Sequence, residues 1–221
     1  MTIKQLMQAR HSCRAFLDKA VSIQDIQDLL DTARLAPSGA NTQPWQVAIV
    51  QGETKQRLTD AMVFAFKQGQ QSQPDYAYYP TEWRAPYIDR RRTCGLQLYR
   101  SLKIERGDKE AQQAQWAANY RAFDAPVMLL FFLEAPMQTG SYLDLGLFIQ
   151  TLMLAAAEKG LATCPQAALA EYPEIVKSTL DYPTDNQLVC GLALGYEDTN
   201  APVNQYRTER VDIDTFARFF T

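Results

Sequence analysis

The chain has 221 residues, 47% of them hydrophobic and 21% charged, with a formal net charge of −3 and a sequence pI near 5.3. This is ordinary globular composition, and its acidic balance excludes a general nucleic-acid or membrane-surface binder, which needs a sustained basic excess to attract phosphates. A single histidine, His11, removes most zinc sites and every Ser/His/Asp hydrolase whose histidine must lie elsewhere.

Residues 2–9 place Ile3, Leu6 and Met7 at helical spacing and stop at a polar loop, Arg10-His11-Ser12-Cys13-Arg14. Ser22 caps a second helix, whose Ile23, Ile26, Leu29, Leu30 and Ala33 recur every three or four residues until Pro37-Ser38-Gly39 ends it. Asn41-Thr42-Gln43-Pro44 reads as a second polar loop and 45–50 as a strand. Residues 55–67 read as an amphipathic helix with Leu58, Ala61, Met62, Ala65 and Phe66 on one face. From 69 to 124 the composition changes to Gln-rich sequence, then Tyr78-Tyr79-Pro80-Thr81-Glu82-Trp83-Arg84, then an Arg-rich helical stretch, which together suggest a helical excursion from the core.

The nearly continuous apolar run Val127–Leu133 suits a central strand covered on both faces. Residues 142–159 are apolar around much of a helix, so one face is expected on the sheet and another on a partner, which dimerisation explains simply. Gly160 fits a C-terminal cap, 161–164 a short strand leading into Pro165-Gln166-Ala167-Ala168-Leu169, 173–180 a short helix with proline in its first turn, and 188–194 a last buried strand. A tail follows at about 198–221. Without internal repeats or a Gly/Ser linker, 1–221 reads as a single α+β domain.

Cys13, Cys94, Cys164 and Cys190 are dispersed, so no metal site is expected and the thiols read as small hydrophobes. With few cysteines, no apolar leader and no run of 18 apolar residues, the expected location is cytoplasmic.

Two guanidiniums, a hydroxyl and an imidazole within five residues, from Arg10 to Arg14, suit an anion, because arginine engages phosphate through a planar fork of donors. A solvated basic turn explains the same residues equally well. The loop Pro37-Ser38-Gly39-Ala40-Asn41-Thr42-Gln43-Pro44-Trp45 offers amide donors and acceptors that match the edge of a planar heterocycle, with Gly39 allowing close backbone approach. Plain turn chemistry accounts for its Pro, Ser, Gly and Asn but not for Gln43.

Taken together, Arg10-His11-Ser12-x-Arg14-x-Phe16 and Ala36-Pro37-Ser38-Gly39-Ala40-Asn41-Thr42-Gln43-Pro44-Trp45 resemble the opening of the nitroreductase family of FMN-dependent flavoenzymes. Gly160-Leu161-x-Thr163-Cys164-Pro165-Gln166, Gly191-Leu192-Ala193-Leu194-Gly195-Tyr196 and Asn204-x-x-Arg207-Thr208-Glu209-Arg210 follow in the family's order, so the resemblance covers nearly the whole chain. The stretch from Tyr78 to Tyr87 with Arg90-Arg91-Arg92 resembles the nitrobenzoate-reductase-like branch.

The resemblance implies a mostly antiparallel sheet flanked by helices, an intertwined homodimer with FMN at the subunit interface, and NADH or NADPH as electron donor. It further implies that Arg10, Arg14 and Arg210 neutralise the FMN phosphate and that Ser12 and His11 bond phosphate or ribityl oxygens. Pro37, Ser38, Gly39, Asn41 and Gln43 lie along the flavin, the first four from the partner protomer. Pro165, Gln166, Ala167 and Ala168 aim backbone amides at its edge, Arg207 assists, and the tail reaches the partner. His11 stands where many members carry arginine, which lowers the local charge.

Between Arg84 and Arg106 seven basic residues face two acidic ones, a local net charge of +5. Either a solvated helix face or an attractor of anionic substrates fits, the latter with Tyr78, Tyr79, Trp83 or Phe123 stacking on aromatic rings. The expected activity is an NAD(P)H oxidoreductase that alternates half-reactions, with nitroaromatic acceptors and the flavin carrying the chemistry. Quinone or flavin reduction, a dehalogenase or flavin-fragmenting activity, and a non-catalytic FMN store or sensor are the alternatives. Anaerobic bleaching of the flavin by NADH or NADPH separates an enzyme from a store.

Overall fold

The structure, a computed structural model, describes residues 2–221. Four strands, β1 (Gln46–Gln51), β2 (Val127–Leu133), β3 (Ala162–Gln166) and β4 (Gln187–Gly195), form one sheet in the order β1-β2-β4-β3 with every pairing antiparallel. All seven residues of β2 are buried because both faces are covered. Val127, Leu129, Phe131 and Leu133 face helices α2 (Ile23–Ala33) and α6 (Thr139–Glu158). Met128, Leu130 and Phe132 face α3 (Gly52–Lys67) and α7 (Pro173–Leu180). A continuous apolar run is thus divided by the two-residue period of a strand between two cores.

α1 (Ile3–Ala9) starts from a Thr2 capping box, and α2 starts from Ser22, whose hydroxyl accepts from Asp25 N at 2.9 Å. Several boundaries differ from the periodicity. α3 begins at Gly52, not Lys55, because Gly52 at φ +60° turns the chain straight from β1 into the helix. Trp45 precedes β1, and its ring stacks on Phe148 of α6 at 4.9 Å. α6 begins at Thr139, its first turn being Thr-Gly-Ser, which carries no apolar period. β3 extends through Pro165 and Gln166, and proline is tolerated there because β3 is an edge strand.

Residues 87–120 carry α4 (Tyr87–Ser101) and α5 (Lys109–Tyr120), and α4 has no buried residue. The approach to them is fastened by the buried Lys177, whose ammonium lies 2.9 Å from Asp75 Oδ2 and donates to Thr184 O at 3.1 Å. The same carboxylate accepts from Leu188 N at 2.7 Å, and Tyr76 donates to Val189 O at 2.8 Å, so this segment is tied to β4.

Directly after β3, the four-residue turn Ala167–Ala170 lies against β4, and Leu169 occupies the space a side chain at position 191 would need. A Cβ on Gly191 would stand 2.8 Å from Leu169 Cβ and 3.2 Å from Leu129 O. Gly191→Ala is expected to destabilise the fold by ~1–3 kcal/mol through overpacking, read as a lowered denaturation midpoint, with the turn displaced from the sheet.

Candidate functional site

The loop after α1 is drawn onto the edge of the sheet. Ser12 bridges Thr163 in parallel, Cys13 N donates to Thr163 O at 3.0 Å, and Phe16 pairs with Glu197. Asn204, in the short helix α8 (Pro202–Gln205) and only 2% exposed, accepts from Arg14 N at 2.8 Å and donates to Ala15 O at 2.8 Å and Asp198 O at 2.9 Å. One buried amide therefore fastens the N-terminal loop to the C-terminal segment. Sequence reading placed Asn204 in a motif without a role; its position three residues ahead of Arg207 and six ahead of Arg210 offered no stronger signal.

These contacts bring Arg10, His11, Ser12, Arg14, Arg207 and Arg210 around one cavity of about 330 Å³. None of the four arginines has a carboxylate partner among the described residues. Burial holds the Arg10 guanidinium below its ordinary pKa, and the nearby Arg210 lowers it further. Arg14 donates weakly to Ser12 O at 3.3 Å and Tyr206 OH at 3.4 Å, while Arg207 is turned to Asn204 O at 2.6 Å. Such a cluster repels itself until an anion enters.

His11 is differently engaged. Its Nε2 lies 3.1 Å from Glu197 Oε1 without the alignment of a hydrogen bond, and Nδ1 faces Ala9 O at 3.2 Å. The imidazole is thereby turned to a carboxylate.

A second cavity, about 400 Å³, shares Arg14 and Cys94 with the first and is lined by Pro165, Gln166, Ala167 and Ala168 with Tyr79, Arg91 and Phe123. Gln166 is 5% exposed; its Nε2 donates to Asn119 O at 3.0 Å, and its Oε1 has no partner among the described residues. Phe123 sits in a turn where Ala122, Phe123 and Asp124 all hold left-handed φ of 52–59°, a strained backbone of the kind concentrated at functional sites. Arg91 lies 4.9 Å from the Trp83 ring and 5.8 Å from that of Tyr79. Trp83 therefore backs the cavity through Arg91, whereas Arg84 is outside its wall, exposed and 3.6 Å from Glu82.

The loop 37–43 is in neither cavity. Ser38 Oγ accepts from Gln43 N at 2.9 Å, Asp144 of α6 accepts from Gly39 N at 3.1 Å, and Ala40, Asn41 and Gln43 hold positive φ. Pro37, Gly39, Asn41 and Gln43 are exposed. Burial pushes the thiols of Cys13 and Cys190 up to about 12 and that of Cys164 up to about 11, so all three stay protonated at neutral pH. Among the described residues no three His, Cys, Asp or Glu side chains gather to hold a metal ion.

The family model described as Nitroreductase family matches residues 7–196. The chain belongs to the nitroreductase family. It is 34% identical to a nitrobenzene nitroreductase of Ectopseudomonas oleovorans over 218 residues, 98% of this chain and 96% of the relative. It is 36% identical to a 4-nitrobenzoate reductase of Pseudomonas putida, over 96% and 92% of the two chains. The fold matches the FMN- and NADPH-dependent nitroreductase NfnB of Sphigopyxis sp. strain HMH at TM-score 0.97 and 37% identity, covering 100% of both chains. It matches NfnB of Mycobacterium smegmatis, an FMN-dependent nitroreductase solved in complex with NADPH, at TM-score 0.94 and 31% identity, over 99% and 97%.

Inorganic phosphate is expected to raise the thermal midpoint of the unliganded protein, because it relieves repulsion among the arginines. In Arg10→Met the midpoint without phosphate rises and the response to phosphate shrinks, both readable by calorimetry.

Proposed function

We propose that the protein is a homodimeric, cytoplasmic flavoenzyme that binds FMN and passes electrons from NADPH or NADH to nitroaromatic acceptors in alternating half-reactions. The observation that carries this reading is the cluster of Arg10, Arg14, Arg207 and Arg210 with no carboxylate partner, next to a cavity of aromatic and amide groups. The donor set fits FMN. Its cations suit a phosphate, the Ser12 hydroxyl lies among them, and the unpartnered Gln166 Oε1 offers an acceptor to a ring N–H.

Bound FMN supplies hydride and electron transfer. The chain's own residues bind and orient. Arg10, Arg14 and Arg210 hold the phosphate; Arg207 bounds that wall through its backbone contacts. His11, turned to Glu197, serves through its backbone. The Ala167–Ala170 turn presents the backbone of Ala167 and Ala168 at the cavity wall, positioned by Leu169 against Gly191.

The second protomer supplies the loop with Pro37, Ser38, Gly39, Asn41 and Gln43. α6 supports this assembly. It is 20 residues long and apolar enough by length and composition to cross a membrane, yet its inner face packs on the sheet through Leu145, Phe148, Leu152 and Ala156. Leu143, 70% exposed, and Leu147 lie outward, with Leu35, Ile3 and Met7 also exposed. An apolar patch of this kind marks an interface, and a second copy covers it. Phe216, Phe219 and Phe220 of the tail reach the partner in the same assembly. Four free thiols fit a reducing compartment.

The acceptor enters beside Tyr79 and Phe123, with Arg91 offering a cation to a ring carboxylate. Purified protein is expected to be yellow, and Arg10→Ala with Arg14→Ala to release FMN into the ultrafiltrate, measured by flavin fluorescence; a colourless protein that ignores added FMN ends the proposal. Arg91→Ala is expected to raise KM for 4-nitrobenzoate several-fold relative to nitrobenzene, while Arg84→Ala, outside the wall, leaves that ratio unaltered; steady-state kinetics on both acceptors decides.

A further inference from the structure

The Ala167–Ala170 turn runs directly into Glu171, a half-buried carboxyl on the wall of the 400 Å³ cavity. It is held from behind. Tyr120 of α5, 1% exposed, donates its hydroxyl hydrogen bond to Glu171 Oε2, and the Tyr120 oxygen accepts from Trp116 Nε1 at 3.1 Å. Oε1 has no partner among the described residues. A carboxyl that accepts at Oε2 carries the proton of its acid form on Oε1.

Burial favours that acid form, whereas the charged groups that face the carboxyl favour its carboxylate. Arg14 and Arg91 are the cations on the cavity wall; Tyr79, Tyr99, Cys94 and Cys164 are its other titratable groups, with Tyr172 next in sequence. No second carboxylate lines the cavity. Burial pushes the Glu171 carboxyl above the usual carboxylate range and outweighs the Tyr120 hydrogen bond, which acts the other way. Burial first, then the carboxylate itself, pushes the Tyr120 hydroxyl up, so it remains a donor.

We propose that Glu171 is the proton donor to the nitro group of the acceptor, with Tyr120 as the positioning residue that fixes its carboxyl. This rests on the nitroaromatic reading above. In the step, one N–O bond of the nitro group breaks and the Glu171 O–H breaks, its proton going to the departing oxygen. Two electrons and the other proton arrive as a hydride equivalent from the reductant, a reduced flavin. Water leaves, the aromatic product is the nitroso compound, and Glu171 remains as carboxylate until solvent reprotonates it. General acid catalysis of this kind contributes about 10²–10⁴-fold.

The test uses pre-reduced holoenzyme mixed with nitrobenzene or with ferricyanide, which accepts electrons without needing a proton. Glu171→Gln is expected to slow nitrobenzene reduction on the order of 10²-fold more than ferricyanide reduction, and to abolish the fall in nitrobenzene rate toward alkaline pH that the parent shows. Tyr120→Phe, which removes the hydrogen bond that lowers the Glu171 pKa, moves that fall to higher pH and keeps the proposal testable if the glutamine variant does not fold. Independently of turnover, infrared spectroscopy of the flavin-free protein across pH is expected to show a protonated-carboxyl band that persists to higher pH than that of an ordinary glutamate and that Glu171→Gln removes. A raised folded-state pKa contributes stability below the unfolded value of about 4.3 that is lost as pH rises through the folded one. The thermal midpoint of Glu171→Gln therefore improves relative to the parent between pH 4 and pH 8. Equal slowing with both acceptors, an unmoved pH profile in Tyr120→Phe, or a band that survives Glu171→Gln overturns the assignment. Failure of the parent to bleach with NADPH or to reduce nitrobenzene strikes instead at the proposed function.

Discussion

Uncompensated positive charge governs this molecule. Arg10 is half-buried, lies near Arg210, and shares its cavity with Arg14 and Arg207, yet among the described residues no carboxylate answers any of them. Glu197 is turned to His11. In a chain with net charge −3, acidic residues are available, and their exclusion from this cavity requires a scaffold that holds the arginines together against their repulsion. That scaffold is the strand-like run of residues 12–16 on the sheet edge and the buried Asn204 amide behind it. Removing the Asn204 hydrogen bonds would strand the backbone N–H of Arg14 as well as loosen the arginines.

The sheet's contribution is a fixed distance between two ends of the site. β3 carries the arginine loop through Thr163 and, three residues on, supplies Gln166 and the Ala167–Ala170 turn. A short strand is stiff along its length, so the arginine-lined cavity and the cavity of aromatic and amide groups are set by the same element. Gly191 then fixes the height of the turn above the sheet, since any larger residue would lift Leu169.

Much of this was legible from residue order. The apolar run of β2 implied cover on both faces, the period of α2 implied an amphipathic helix, and the clustered arginines implied an anion or open solvent; the fold adds that none of them meets a carboxylate among the described residues. What stayed hidden has physical causes. The polar first turn of α6 carries no apolar signal, and Gly52 starts α3 by backbone conformation alone. Arg84 and Arg91 look alike in sequence, and only the fold separates an exposed ion pair from a guanidinium over two aromatic rings. Glu171 and Tyr120 are 51 residues apart, and no local pattern announces that one grips the other.

Burial acts on both ends of the site with opposite consequences, and the difference comes from where each group starts. Desolvation disfavours charge, so it lowers the pKa of Arg10 and raises that of Glu171. Arginine begins so far above neutral pH that it keeps its charge despite the loss of water. A glutamate begins near 4.3, so the same environment moves it toward the neutral acid. One wall of a shared pair of cavities is thereby held cationic and the other is drawn toward a proton-bearing state, without a histidine in either task. The single histidine of the chain faces Glu197, which is consistent with acid–base work having been placed on a half-buried carboxyl instead.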